Sequence, residues 1–171
     1  MVHERGRRAA HHKSAWEWAV TRRESVSTLV DDIAPLLLHR RRAAIEFILR
    51  AAGKAVPPTQ EIQPGSPEAW AWVAGLIEGE GWICPGPGAV RRKLIVAAQS
   101  TDHDVIERLA ALTEVGHIAS IPRQQEHFKS SWRWSVYNQP DSRRILSAIL
   151  PMLGARRSER ARYVLNLIGG E

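Results

Sequence analysis

Apolar residues recur every three or four positions in the stretch that begins at Ser66, which is the spacing of one helix face. The residues on this face are Trp70, Val73, Ala74 and Ile77. Ser66 is a typical N-cap and Pro67 suits the first helical turn, so a helix is predicted to begin there and to run to about Glu78. The glycines that follow, Gly79 and Gly81, are predicted to end it.

Beyond Gly81 the apolar period changes from helical to alternating, and the change then recurs along the chain. The predicted elements are strands at 82–84 and 91–100, a helix at 102–113, strands at 117–121 and 131–137, and helices at 141–150 and 155–168. In the helix at 102–113, the residues Val105, Leu109 and Leu112 are predicted to face inward, with Gly116 closing the helix. The order of helix, two strands, helix, two strands and two helices predicts an α+β fold.

The chain contains an internal repeat. Residues 11–20 return as residues 127–136, with Trp16 falling on Trp132 at an offset of 132 − 16 = 116. Without a gap, the same register places seven residues on identical ones: Ile33, Pro35, Leu37, Arg40, Arg41, Leu49 and Gly53 fall on Ile149, Pro151, Leu153, Arg156, Arg157, Leu165 and Gly169. A register held across roughly forty residues is improbable as a coincidence between two tryptophan-rich strands.

The repeat predicts an uneven domain organisation. Residues 66–171 form a complete unit, whereas residues 1–53 correspond only to the back half of such a unit, a strand and two helices. The stretch 54–65 between them contains three prolines, two in Val56-Pro57-Pro58-Thr59 and one in Gln63-Pro64-Gly65, which is typical of an exposed linker. The chain is therefore predicted to hold about one and a half units.

The formal net charge of +6 favours a partner that carries phosphate, either nucleic acid or an anionic membrane surface. The basic residues are spread over strands and helix ends, so we expect nucleic acid and no membrane association. Cys84 is the sole cysteine, which excludes an internal disulfide and a cysteine-based zinc site within one chain. The sequence has no signal-peptide pattern at Met1 and no membrane-spanning stretch, so we expect a cytoplasmic protein that is not exported.

The helix that begins at Ser66 ends in a recognisable motif. Val73 to Gly81, read as VAGLIEGEG, resembles the nine-residue LAGLIDADG signature of the homing endonucleases. Ala74 and Gly75 are small enough to let two copies of this helix approach closely, with Ile77 packing beside them. Glu80 would then place a carboxylate at the helix end, and a pair of such helices would offer two carboxylates to Mg²⁺. The alternative is an ordinary helix stop with one exposed glutamate.

The resemblance extends over residues 66–170, because the predicted order of elements is similar to the αββαββα core of this family. It implies that Gln99, near the end of a strand, positions the attacking water. It also implies that the glycine of Val115-Gly116 ends a helix. The segment from Pro151 to Arg157 is similar to the family's closing pattern of a proline, two apolar residues and a basic pair.

The resemblance further implies that the strands form a saddle over the major groove of double-stranded DNA. The candidate DNA-binding residues are Arg91, Lys93, Arg133, Arg156 and Arg157. For the three strand residues the alternative is a role as solvated charges that protect a strand edge. For Arg156 and Arg157 the alternatives are a role at a helix end and a soluble helix surface. The family places a basic residue near the active site after the last strand, but residues 137–140 contain none, so Lys129 or Lys93 would have to take that role.

The resemblance implies a homing-type DNA endonuclease that cuts both strands with Mg²⁺. The chain supplies only one carboxylate of the Glu80 type. Two copies are therefore expected to pair as a homodimer through residues 68–80, or else a first motif has been lost or is encoded upstream of Met1, which would make the chain truncated. The alternative function is a non-catalytic DNA-binding or RNA-binding protein of the same fold, as a regulator, a maturase or a degenerate remnant.

Overall fold

The computed structural model describes residues 2–5, 15–85, 94–123 and 129–169. It divides the chain into two compact units, Met1–Gln60 and Glu61–Glu171. The division lies inside the stretch 54–65 that the sequence predicts to be a linker. Within the first unit, the backbone N–H of Gln60 donates to the carbonyl oxygen of Pro35 at 2.8 Å, so the front half of this stretch is attached to the first unit.

The first unit consists of a hairpin and two helices. Its elements are β1 (Val2–Arg5), β2 (Ala15–Trp18), α1 (Arg23–Ile33), a short 3-10 helix (Ala34–Leu36) and α2 (His39–Ala51). β1 and β2 pair antiparallel, with Val2 opposite Trp18.

The second unit contains the complete set of predicted elements. They are α3 (Pro67–Glu80), β3 (Gly81–Pro85), β4 (Leu94–Ser100), α4 (His103–Thr113), β5 (His117–Ile121), β6 (Ser131–Val136), α5 (Gln139–Ile149), a 3-10 helix (Leu150–Met152) and α6 (Ala155–Gly169). The predicted α+β class and the predicted order of elements are confirmed, although several ends move by one to three residues. Residues 91–93, which the sequence predicts to begin β4, lie outside the described residues.

The elements of the two units share the offset of the sequence repeat. α1 and α5 begin at Arg23 and Gln139 (139 − 23 = 116), and the two 3-10 helices begin at Ala34 and Leu150 (150 − 34 = 116). The hairpins extend the equivalence beyond the sequence match, because Val2 opposite Trp18 corresponds to Ile118 opposite Trp134. β1 is therefore the counterpart of β5, although the two strands share no sequence pattern.

The four strands of the second unit form one antiparallel sheet in the order β3-β4-β6-β5. Its inner face is apolar and is covered by α3, α4 and α5. The inner side chains that are at least nine-tenths buried are Ile83, Leu94, Val96, Ala98, Trp134 and Val136. As predicted, Leu94, Val96 and Ala98 share this face, because side chains alternate along a strand. The outer face carries the remaining residues and includes the candidate site.

α3 confirms its predicted start and corrects its predicted end. The Ser66 hydroxyl accepts a hydrogen bond from the N–H of Ala69 at 3.1 Å, as an N-cap does. The helix continues two residues past the predicted Glu78, and of the two glycines predicted to end it Gly81 is the C-cap, from which the chain turns directly into β3. There is no room for a side chain at Gly81, because a Cβ there would lie 2.7 Å from the Cα of Ile77.

α4 buries a different face from the predicted one. Ile106 is fully buried and Val105 is half-buried, so the inward residue is Ile106. The two are adjacent and equally apolar, and periodicity alone could not choose between them. Glu114 ends the helix in the left-handed conformation with φ of 56°, which corrects the assignment of that role to Gly116.

Arginines cover the two partly exposed tryptophans of α3. The guanidinium of Arg108 on α4 lies 5.5 Å from the ring centroid of Trp72, and that of Arg144 on α5 lies 5.8 Å from Trp70. Burial lowers the pKa of Arg108. Among the described helices, none combines the length and the apolar character needed to cross a bilayer.

Candidate functional site

Glu80 lies at the junction between α3 and the sheet. It is the last residue of α3 and its side chain is exposed. The next residue, Gly81, is paired with Ala98 of β4, whose neighbour is Gln99. The antiparallel register therefore brings Glu80 and Gln99 to the same end of the sheet.

Gln99 is held in a small polar network on the outer face. Its amide nitrogen donates to the hydroxyl of Ser131 at 2.7 Å, and its amide oxygen accepts from Nη2 of Arg133 at 3.1 Å. Arg133 also lies over the ring of Trp82, 5.3 Å from the centroid. Both polar ends of the Gln99 amide are engaged, so its orientation is fixed from β6.

Arg133 lies on the outer face, as the sequence predicts. Its guanidinium is only half-exposed, and Nε is buried with no hydrogen-bond partner among the described residues. Sequence reasoning missed its contacts with Gln99 and Trp82. The alternation of residues within each strand could have indicated that the three share a face, but the pairing register decided which of them meet.

The sequence predicts three further basic residues for the site, Lys129, Arg91 and Lys93. Lys129 is exposed and lies two residues before the start of β6, at the end of the sheet that carries Gln99. Arg91 and Lys93 lie outside the described residues.

The predicted helix-pairing surface is only partly exposed. Ala74 is 2% exposed and Ile77 is fully buried, because both side chains point into the core of their own unit. This corrects their assignment to the pairing surface. Gly75 is exposed, and a Cβ there would have no neighbour within 4 Å. Ala71 and Gly79, four residues on either side, are also exposed, so the open side of α3 carries a row of small residues.

Glu78 connects the end of α3 to the start of α6. Its carboxylate accepts a hydrogen bond from the backbone N–H of Gly154 at 3.1 Å. Its carbonyl oxygen accepts from Nη2 of Arg157 at 3.4 Å. A Cβ at Gly154 would lie 3.2 Å from the carboxylate, so this close approach suits glycine. The sequence analysis gave Glu78 no role, and its partners are 76 and 79 residues away.

Arg156 and Arg157 line a groove together with Gly81. The basic pair therefore lies beside the helix end that carries Glu80. The sequence predicts phosphate contact or a helix-end role for both residues but does not locate them relative to the carboxylate. Their position also brings positive charge near Glu80. Residues 137–140 contain no basic residue that could supply it.

The described residues of one chain do not enclose a metal ion. They contain no group of three or more histidine, cysteine, aspartate or glutamate side chains placed to hold one. Glu80 offers a single exposed carboxylate, which fits one ligand of a Mg²⁺ ion that keeps its waters and binds substrate phosphate. The Glu80 carboxylate thus suits a Mg²⁺ ion that a substrate phosphate also binds.

The scan against protein-family models finds no match, and neither does the search of curated proteins. Solved structures of homing endonucleases are similar to this chain. I-CvuI bound to its target in the presence of calcium has 17% identity and a TM-score of 0.49, over 60% of this chain and 67% of that one. I-CvuI with the I-CreI target and magnesium, in which the DNA is not cleaved, has 16% identity and a TM-score of 0.43, over 58% and 65%.

A third similar structure is I-CeuI, a group I intron-encoded homing endonuclease complexed with DNA. It has 17% identity and a TM-score of 0.42, over 64% of this chain and 57% of that one. The match therefore spans about two thirds or less of each of these proteins. At identities and TM-scores of this size, the activities of these endonucleases do not carry over to this chain.

Proposed function

We propose that the chain is a homing-type DNA endonuclease that hydrolyses phosphodiester bonds in both strands of a duplex with Mg²⁺. One observation carries the proposal. Glu80, in a motif that resembles the LAGLIDADG signature, lies at the end of α3 beside the Gln99 end of an open antiparallel sheet. A carboxylate at the edge of an open sheet face is an arrangement suited to cleavage of a strand that lies across that face.

The outer face of the sheet is the proposed DNA surface. Ala97 and Ser135 lie opposite each other at its centre and are small and buried, while Trp82 and Arg133 project beside them. Trp82 and Arg133 meet across β4, with the guanidinium 5.3 Å from the ring centroid, so they cover this centre and are the side chains placed to reach base edges in the major groove. The net charge of +6 favours association with phosphates.

At the proposed site, Glu80 would hold Mg²⁺, which when bound activates water and stabilises charge on the phosphate oxygens. Gln99, fixed by Ser131 and Arg133, would orient the water that forms the new bond to phosphorus as one bridging oxygen departs. Lys129, which is exposed at this end of the sheet, would offset the negative charge that accumulates on the phosphate.

Cleavage of both strands requires two such carboxylates, and the described residues of one chain supply one in this motif. We propose that two copies pair through residues 68–80, with the row of small residues on α3 as the contact. Residues 1–53 would then be a partial second unit, joined by residues 54–65 to the complete unit at 66–171. An additional motif in a longer native protein would serve the same purpose.

The alternative is a DNA-binding protein of this fold without cleavage activity. The isolation of Glu80 favours it, since a single carboxylate does not complete a metal site by itself. The two candidates differ in one property: the binder leaves the DNA intact in the presence of Mg²⁺.

The test is cleavage of genomic DNA from the source organism, incubated with the full chain with and without Mg²⁺ and sequenced for new ends. We expect Mg²⁺-dependent ends at one or a few sites, lost in Glu80→Gln because an amide is a poor ligand for Mg²⁺. Binding of a 30-bp duplex by Glu80→Gln should stay within about twofold of wild type, because surface substitutions are usually near neutral.

Glu24→Gln is the matched control, because it makes the same change at an exposed position in the first turn of another helix, α1, outside the pairing segment 68–80. It should cleave like the wild type. Unchanged cleavage by Glu80→Gln would exclude the proposed site. Bound but intact DNA in every reaction would support the non-catalytic alternative.

A further inference from the structure

A groove of about 640 Å³ runs between β3 and α6, outside the face of the sheet. α6 packs along β3, which is an edge strand of the sheet. The groove is lined by Gly81, Trp82 and Ile83 from β3 and by residues of the first half of α6. It begins at Gly81, directly after Glu80, so a chain leaving the proposed cleavage site over this edge would enter it.

Three arginines make the groove strongly basic. Arg156, Arg157 and Arg160 line it, against a single acidic lining residue, Glu159. Arg160 donates from Nε to the carbonyl oxygen of Ile83 at 3.0 Å, and Arg157 donates to that of Glu78. Neutral backbone oxygens hold these guanidinium groups in place without cancelling their charge, so the positive charge of the groove is preserved.

Arg157 also has an unused donor. Its Nε is buried and has no hydrogen-bond partner among the described residues. A buried donor without an acceptor is destabilising. An anionic oxygen is the acceptor that guanidinium groups bind best, and phosphate suits their planar geometry.

The aromatic residues define the kind of phosphate that would fit. Trp82 lies at one side of the groove and its ring also reaches the outer face of the sheet, under Arg133. Tyr163 lies at the other side, with Arg160 5.4 Å from its ring centroid. Apolar ring surface on both sides suits a phosphate that carries an organic group more than it suits a free ion.

We propose that this groove binds a backbone phosphate of the DNA strand next to the cleaved bond, so that the strand passes over β3 onto α6. The inference rests on the proposed function and deepens it, because it adds a contact outside the sheet face. Arg160 is the residue best suited to a test, since its described contacts are with Ile83 and Tyr163, which both line the groove.

The test is the salt dependence of binding of the full chain to a 30-bp duplex, measured by fluorescence anisotropy between about 50 and 200 mM NaCl. Each phosphate contact adds about 0.9 to the slope of log K against log salt concentration. We expect Arg160→Gln to lower the slope by about 0.9, and Arg160→Lys to retain most of it. Arg156→Gln, at an exposed position, gives a second reading should Arg160→Gln fail to fold.

Arg162→Gln is the matched control, because Arg162 is exposed on the same helix and does not line the groove. Equal slopes for the Arg160→Gln and Arg162→Gln proteins, or unchanged slopes for Arg160→Gln and Arg156→Gln, would overturn the proposal. Absence of any salt-dependent binding by the wild type would instead refute the proposed function. Thermal stabilisation by inorganic phosphate, lost in Arg160→Gln without a change in DNA slope, would show a free-anion site and also overturn the proposal.

Discussion

Gly116 shows how strongly one residue can constrain this core. It has a φ of +102°, which L side chains rarely adopt, and a Cβ there would lie 2.7 Å from Cε2 of Trp134. Trp134 is fully buried and donates from Nε1 to the carbonyl oxygen of Val115 at 2.8 Å. The glycine therefore leaves room for the ring and positions the acceptor that satisfies it.

We predict that Gly116→Ala lowers the free energy of unfolding by about 3 kcal/mol, of which about 1–2 kcal/mol is backbone strain and the rest displacement of the ring. Gly65→Ala is the control, since Gly65 has a φ of +76° and open space around its Cβ position. It should lose only about 1 kcal/mol. Urea unfolding followed by tryptophan fluorescence measures the free energy of unfolding of both variants. Equal losses of this free energy would show that the contact with the Trp134 ring contributes nothing.

At the scale of elements, the two copies of the repeat use different residues at equivalent positions. Arg42 of α2 donates to the carbonyl oxygen of Ala34, the first residue of the preceding 3-10 helix, at 3.0 Å. Ser158, at the equivalent position of α6 (158 − 42 = 116), donates to the carbonyl oxygen of Leu153 at 2.9 Å, and its hydroxyl lies 3.5 Å from that of Leu150. The side chain at this position meets the preceding 3-10 segment in both copies, although the donor and its acceptor differ.

The helix starts of α1 and α5 differ in a way that can be tested. Asn138 caps α5, accepting from the N–H of Asp141 at 2.9 Å, whereas Arg22 at the equivalent position of α1 makes no side-chain cap. Both have extended backbones, with φ of −84° and −71°. We predict that Arg22→Asn stabilises α1 by about 1 kcal/mol, by supplying the missing cap.

Amide hydrogen exchange in α1 is the appropriate measurement, because it reports this helix separately from the second unit. Arg23→Asn is the matched control: it removes the same charge at the next residue, inside the helix, where no cap can form. Similar protection in the two variants would mean that the charge change, not the cap, caused the effect.

At the scale of the whole molecule, the proposed double-strand cut depends on self-association. We predict that Gly75→Leu weakens self-association by on the order of tenfold or more, because overpacking a close contact costs about 1–3 kcal/mol. The fold should be unaffected, since nothing lies within 4 Å of a Cβ at this position. Sedimentation equilibrium over a range of concentrations measures the change.

Ala111→Leu is the control for added apolar surface, as Ala111 is exposed on α4 of the same unit. It should associate like the wild type. A wild-type chain that stays monomeric at all concentrations, or a Gly75→Leu protein that associates as strongly as the wild type, would count against pairing through α3.

The sequence by itself determined those features that depend on neighbours along the chain. The cap at Ser66, the order of helices and strands, and the repeat at an offset of 116 all follow from local spacing. The inner face of β4 also followed, since alternation within a strand needs no knowledge of its partners. Residues that act through local periodicity were therefore predictable.

Only the tertiary structure decided which residues meet across the chain. Adjacent apolar residues such as Val105 and Ile106 are equivalent in a helical pattern, and packing chooses between them. β1 matches β5 through its pairing register alone. The link from Glu78 to Gly154 joins residues 76 positions apart. Such contacts depend on how elements pack and pair, which the sequence of one element does not encode.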